Sequence, residues 1–132
     1  MNQRNPIGSN PWADIVGPCY TASSLARTLD WTEAAVIEAA DSFTLLRLTT
    51  DDEVELYPAF QIQDGQPAKG LAEVLRVLSS GTDSSWVWAQ WLNATVADED
   101  GMAQPTNIER LRKGQLADVL LKAEHDAAVW RS

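Results

Sequence analysis

The spacing of apolar residues along the chain predicts a set of short amphipathic helices. The clearest pattern is Leu71, Val74, Leu75 and Leu78, at positions i, i+3, i+4 and i+7, which share one face of a helix. Two shorter helices are expected at 21–29 and 33–41, where threonines at 21 and 32 are suitable N-caps. Because only a few residues separate these two helices, the segment is predicted to form a helix-turn-helix.

The same kind of pattern predicts three helices nearer the C-terminus. A serine at 84 or 85 is suited to cap a helix that carries Trp88, Trp91 and Leu92 on one face. After a loop at 93–105, residues 106–109 form a capping box that opens a short helix, which ends at Gly114. The last helix carries one apolar stripe, made of Leu116, Val119, Leu120, Ala123, Ala127 and Trp130.

One β-hairpin is predicted directly after the helix-turn-helix. Residues 43–48 and 53–57 have strand character, a turn lies at 49–52, and Pro58 ends the second strand. A hairpin in this place is typical of a DNA-binding wing, although small domains also use it without binding DNA. The expected fold is mainly α, with an extended N-terminal arm at 1–18, a helix-turn-helix with a hairpin at 19–62, and a helical unit at 68–132. A polar linker at 63–69 separates the two units.

The net charge of −9 argues against broad affinity for nucleic acids. Residues 1–66 carry ten acids and three bases, whereas 67–132 carry nine acids and seven bases. The predicted recognition helix, 33–41, contains acids and no base, so only Arg27 and Arg47 are candidates to contact phosphates. We therefore predict weak DNA binding at most.

The residues that usually carry chemistry are sparse and scattered. His125 is the sole histidine and lies off the apolar stripe, and Cys19 has no basic neighbour to lower its pKa, so a solvated imidazole and a small buried thiol are expected. The acidic runs at 51–53 and 98–101 fit solvated turns better than a calcium loop. We predict no enzyme, cofactor or metal site. The absence of a long apolar run or signal peptide favours a cytoplasmic protein.

Several segments in the chain resemble a known family. They are Tyr57-Pro58-Ala59-Phe60-Gln61, then Gly65 and Pro67, then Leu71-Ala72-Glu73-Val74-Leu75 with Leu78. The C-terminal part resembles the toxin-binding domain of Xre/ParS-type antitoxins, whose pattern is a Trp-Leu pair, Leu-x-Gly-x-Thr-Pro, Leu-x-x-Gly and a closing helix. Trp91-Leu92 matches the pair, Thr106 the threonine, and Leu111 to Gly114 the later motif. This sequence departs from the pattern at Met102, Gln104 and Asn107.

The resemblance implies an antitoxin that binds and blocks a toxin with an NAD-consuming RES domain. Antitoxins of this kind often also repress their own operon. The residues predicted to contact the toxin are Trp91, Leu92, Arg110, Leu111, Arg112, Gly114, Trp130 and Arg131. The arginines and Trp130 are included for their charge and aromatic character, which suit an anchor beside acidic or phosphate-binding groups. Two alternatives stay open: the basic residues near 110–113 could only complement the dipole of their helix, and the protein could be a DNA-binding regulator without a toxin. A homodimer is compatible with the number of tryptophans.

Overall fold

The computed structural model describes residues 11–132, and side chains from residue 14 onward. The helices are α1 (Pro11–Val16), α2 (Ala22–Leu29), α3 (Glu33–Asp41), α4 (Leu71–Ser79), α5 (Ser85–Asn93), α6 (Asn107–Arg112) and α7 (Leu116–Arg131). The strands are β1 (Cys19–Tyr20), β2 (Leu48–Thr49), β3 (Glu55–Pro58), β4 (Ile62–Gln63), β5 (Gln66–Pro67), β6 (Val96–Ala97) and β7 (Ala103–Gln104). The predicted fold class, mainly α with small antiparallel hairpins, is confirmed.

Most helices begin where the sequence places their caps. The side chains of Thr21, Thr32, Ser84 and Thr106 each accept a hydrogen bond from a backbone N–H in the first turn of the helix that follows. The prediction of an extended arm is wrong for residues 11–16, which form α1 and pack against α5, where the side-chain amide of Asn93 donates to the Ile15 carbonyl at 2.7 Å. Residues 1–10 of that predicted arm lie outside the described part of the chain.

The hairpin after α3 is shorter than predicted. Its strands are Leu48–Thr49 and Glu55–Pro58, and β1 adds to the other edge of β3 to make a three-stranded antiparallel sheet. Residues 43–47 are not a strand because Phe43 has a left-handed backbone (φ 63°), which turns the chain away from α3. The amides of Thr44 and Leu45 then donate to the Ala39 carbonyl as part of this turn, so they are not available to a sheet.

A buried side-chain amide replaces the missing strand contacts at Leu46. The Gln61 Oε1 atom accepts from the Leu46 N–H at 2.7 Å, and Gln61 Nε2 donates to the Leu46 carbonyl at 2.9 Å. The Gln61 side chain is fully buried, so these bonds satisfy both of its polar ends. They hold the segment after α3 against the segment after β3.

The predicted polar linker is a second hairpin. Strands β4 and β5 pair across Asp64 and Gly65, which both have positive φ (54° and 75°), the geometry of a two-residue type I′ turn. The loop predicted at 93–105 likewise contains the β6–β7 hairpin, in which Asp98 accepts hydrogen bonds from the backbone of Asp100 and Met102 at its turn.

The buried apolar residues form two clusters, and the larger one includes residues of both predicted units. The larger cluster packs α4 against α5, α6 and α7, and it also takes in Leu46 and Leu48 from the N-terminal unit. The smaller cluster lies under α2, α3 and β3. Just after the end of α4, Gly81 lies against α7, where a Cβ atom would lie 2.7 Å from the Ala127 backbone. The segment at 63–69 therefore marks no gap in packing.

We expect Gln61→Leu to destabilise the protein by about 3 kcal/mol, because it leaves the buried N–H and carbonyl of Leu46 without partners. Urea denaturation measures the change. Gln66→Leu is the matched control, since Gln66 is exposed on β5 and this substitution should shift stability by less than about 0.5 kcal/mol. Equal stability of Gln61→Leu and the parent protein would contradict the role assigned to this amide.

Candidate functional site

A groove of about 570 Å³ opens on the C-terminal unit. Its walls come from α5, the β6–β7 hairpin, the start of α6 and the outer part of α7. The lining residues are Val87, Gln90, Trp91, Ala94, Val96, Gln104, Pro105, Thr106, Asn107, Arg110, Lys122, Asp126 and Trp130. The size falls within the range of binding pockets for small ligands or short peptide segments.

Two half-buried indoles, Trp91 and Trp130, provide much of the apolar wall of the groove. The Trp91 Nε1 atom donates to Asp126 Oδ2 at 2.7 Å, and the Asn107 side chain donates to the Trp91 carbonyl at 2.8 Å. These bonds join α5 to α7 and to α6. The Trp91 ring is therefore held in place before any partner arrives.

The groove carries two cations in an otherwise acidic protein. Arg110 on α6 and Lys122 on α7 both line it, and neither forms an ion pair within residues 11–132. The acid that lines the groove is Asp126, whose carboxylate already accepts the Trp91 N–H. An apolar surface with two unpaired cations suits a partner that brings both an apolar side chain and a negative group.

The start of α6, which forms one rim, is held by the predicted capping box. The backbone N–H of Thr106 donates to Glu109 Oε1 at 2.8 Å, and the Glu109 N–H donates to the Thr106 hydroxyl at 3.2 Å. These contacts lower the pKa of the Glu109 carboxyl below its ordinary value of 4.5. The hydrogen bond from the Thr106 backbone has the larger effect, and the hydrogen bond with the Thr106 side chain has the next largest. Glu109 is thus engaged by its own helix.

The structure brings together three of the residues predicted to bind a toxin. Trp91, Arg110 and Trp130 come from three different helices and line the same groove. Leu92 and Leu111, in contrast, are buried in the core with 0% and 2% of their surface exposed. The prediction that these two leucines contact a partner is wrong, because each is packed inside the protein on the inner side of its helix.

The remaining predicted contact residues lie elsewhere. The Arg112 guanidinium donates to the Phe60 carbonyl, and the Arg112 carbonyl accepts from Gln63, so this residue joins the two units instead of facing a partner. Gly114 adopts φ +83° to end α6. Arg131 donates to the Ser80 hydroxyl at 2.9 Å, beside α4 and outside the groove.

The two arginines predicted to contact DNA are both on the N-terminal unit. Arg27 is exposed on α2 and donates to Ser23 at 3.1 Å, while Arg47 forms a 2.8 Å ion pair with Asp41. The acids at 33 and 38 on α3 are exposed, as are those at 51–53 in the hairpin turn. The face that would meet DNA is therefore acidic, and one of its two arginines is already neutralised.

Sequence reasoning missed Lys122 and Asp126 as groove residues, together with Val96 on the β6–β7 hairpin. A signal was present on the last helix, because Lys122, Asp126 and Trp130 are spaced by four and so share one face. The part of the groove made by β6 and β7 had no comparable signal, because residues 93–105 were predicted to be a loop.

Other candidate chemistry is not assembled into a site. His125 is exposed, and burial raises the pKa of the half-buried Cys19 thiol, which opposes a reactive thiolate. Among residues 11–132, no three metal-binding side chains cluster together. In the same part of the chain, no helix has the length and apolar character needed to cross a membrane.

No family model matches the sequence, and no curated protein matches it. Among solved structures, the chain is similar to the NMR structure of Rv2175c, with a TM-score of 0.64 and 21% sequence identity. The match covers 96% of this chain and 99% of the other. At this identity the similarity shows the fold alone.

We expect the Glu109 carboxylate to make stability depend on acid pH. Because its pKa is lowered in the folded state, its contribution is complete above the unfolded pKa and is lost as pH falls through the folded pKa. Urea midpoints measured from neutral pH to below 4.5 should fall less for Glu109→Gln than for the parent protein, since glutamine keeps the capping bond but does not titrate. Identical pH profiles would contradict this assignment.

Proposed function

We propose that this protein is the antitoxin of a type II toxin-antitoxin pair and that it binds its toxin through the C-terminal groove. The observation that carries the proposal is the meeting of Trp91, Arg110 and Trp130 in one groove. The family resemblance implies Trp91 as a toxin contact, and the sequence adds Arg110 for its charge and Trp130 as an aromatic anchor near the end of the chain. Half-buried tryptophans beside an arginine are the residue types that contribute most to binding energy at protein interfaces.

The proposed partner is a toxin with an NAD-consuming RES domain, and the proposed location is the cytoplasm. The partner follows from the resemblance, and the location follows from the expectation drawn from the sequence itself. The departures from the antitoxin pattern lie on or beside the groove: Gln104 and Asn107 line it, and Met102 is exposed next to it. Asn107, which stands where the pattern has proline, donates to the Trp91 carbonyl. We expect these positions to adapt the groove to one particular toxin.

Co-expression with the product of the adjacent reading frame tests the proposal. We expect a stable complex and relief of growth inhibition by the parent protein. Val96→Asp, which places a charge on the exposed apolar rim of the groove, should weaken the complex at least about tenfold. Val54→Asp is the matched control, because Val54 is similarly exposed but lies on the hairpin of the N-terminal unit.

Failure of the parent protein to form a complex or to relieve toxicity would count against an antitoxin. Equal binding by Val96→Asp and Val54→Asp would count against the groove as the contact surface. The two outcomes separate the function from the site that is proposed to perform it.

A second candidate function is regulation of transcription by DNA binding, with autoregulation of the operon as one form of it. It is favoured by the arrangement of α2, α3 and the β2–β3 hairpin, which is that of a winged helix-turn-helix. The charge of this unit opposes it. Residues 19–62 carry eight acids and two bases, and phosphate contacts normally supply much of the affinity.

We expect the isolated protein not to shift a duplex from its own promoter at physiological salt. A double variant that carries both Glu33→Lys and Glu38→Lys replaces two exposed acids of α3. It should create measurable, salt-sensitive binding, because it changes the charge of the helix that would enter the major groove of DNA. Tight, sequence-specific binding by the parent protein in a gel shift would instead favour the regulator.

A further inference from the structure

We infer that the groove binds an acidic segment of the partner protein, one that carries an aliphatic or aromatic anchor beside its carboxylates. This inference rests on the proposed function and adds the chemistry of the partner to it. Two features of the groove identify the occupant: the charge of the residues that line it and the apolar character of its walls.

The first argument is the state of the two cations. Arg110 and Lys122 are attached to different helices and face the same groove, and neither has an ion-pair partner within the described residues. A half-buried guanidinium beside an indole gains most from a carboxylate, which it can bind with two parallel hydrogen bonds. The ammonium of Lys122 adds a second contact for a neighbouring carboxylate.

The second argument is that the acid lining the groove and the acid at the start of α6 are already engaged. Asp126 accepts the Trp91 N–H, and Glu109 accepts the Thr106 backbone N–H at the start of α6. The charged residues that line the groove are two cations, Arg110 and Lys122, and one acid, Asp126. The net charge is −7 for residues 1–66, from three bases and ten acids, and −2 for residues 67–132, from seven bases and nine acids. Salt screens charges outside the groove over about 8 Å at physiological ionic strength.

The third argument concerns the apolar surface. Trp91, Trp130 and Val96 line the groove, and 64% of the Val96 side chain is exposed. An apolar side chain placed among them would leave water, whereas a purely charged ligand would leave these walls uncovered. A short acidic peptide with one large apolar side chain therefore fits better than a nucleic acid, whose phosphates continue along the strand beyond the two cations that line the groove.

The test uses three fluorescein-labelled ten-residue peptides that share one tryptophan and one leucine and carry four glutamates, four glutamines or four lysines. A single-stranded oligonucleotide is the fourth probe. Fluorescence anisotropy with the full chain should show the glutamate peptide binding at least about tenfold more tightly than the glutamine peptide, with no binding of the lysine peptide. No binding of the glutamate peptide at millimolar concentration, or tighter binding of the oligonucleotide, would overturn the inference.

Variants of the cations locate the contact. The substitutions Arg110→Gln and Lys122→Gln should each lower the affinity of the protein for the glutamate peptide about fivefold. Each should also make that affinity less dependent on salt. The matched controls are Arg76→Gln and Lys69→Gln, exposed residues that do not line this groove. Equal effects of the groove variants and the controls would show non-specific attraction and would overturn the proposal.

The same variants separate this inference from the antitoxin proposal. If the toxin complex is weakened by Val96→Asp but not by Arg110→Gln or Lys122→Gln, the antitoxin proposal stands and the acidic partner is excluded. If the complex does not form at all while the glutamate peptide still binds in the groove, the acidic ligand stands and the antitoxin proposal fails.

Discussion

The buried amide of Gln61 is the contact on which the path of the chain between α3 and α4 depends. It forms two hydrogen bonds with the backbone of Leu46, and its own carbonyl accepts the Ala68 N–H at 2.7 Å. One residue therefore connects the turn after α3, the end of the three-stranded sheet and the approach to α4. Because these groups are out of contact with water, no solvent molecule can replace a lost bond without opening the core.

Helix α5 connects this framework to the groove. In the first half of α5, Trp86 donates to the Thr49 carbonyl at 3.1 Å, and the Trp88 ring packs edge-on against Phe43 with centroids 5.6 Å apart. Nearer the C-terminal end of the helix, Trp91 forms a wall of the groove. The same short helix thus contacts the N-terminal unit and the proposed binding surface, which gives the groove a wall that is supported from behind.

The uneven distribution of charge gives the two units different surfaces. In the helix-turn-helix unit, exposed acids occupy α3 and the hairpin turn. The groove of the other unit holds Arg110 and Lys122 without ion-pair partners in the described chain. A negatively charged partner is therefore opposed at the first surface and favoured at the groove, as the proposed acidic segment requires.

Local sequence signals determined most of the helices of this protein, with α1 as the exception. Caps such as Thr32 and Thr106 and the apolar spacing of α4 act within a few residues, so the sequence alone predicts where these helices begin. Residues 43–47 have strand character, yet the left-handed Phe43 and the distant Gln61 decide their conformation. The groove was likewise decided by tertiary structure, because packing between helices buries Leu92 and leaves Trp91 at the surface, and local spacing does not contain that information.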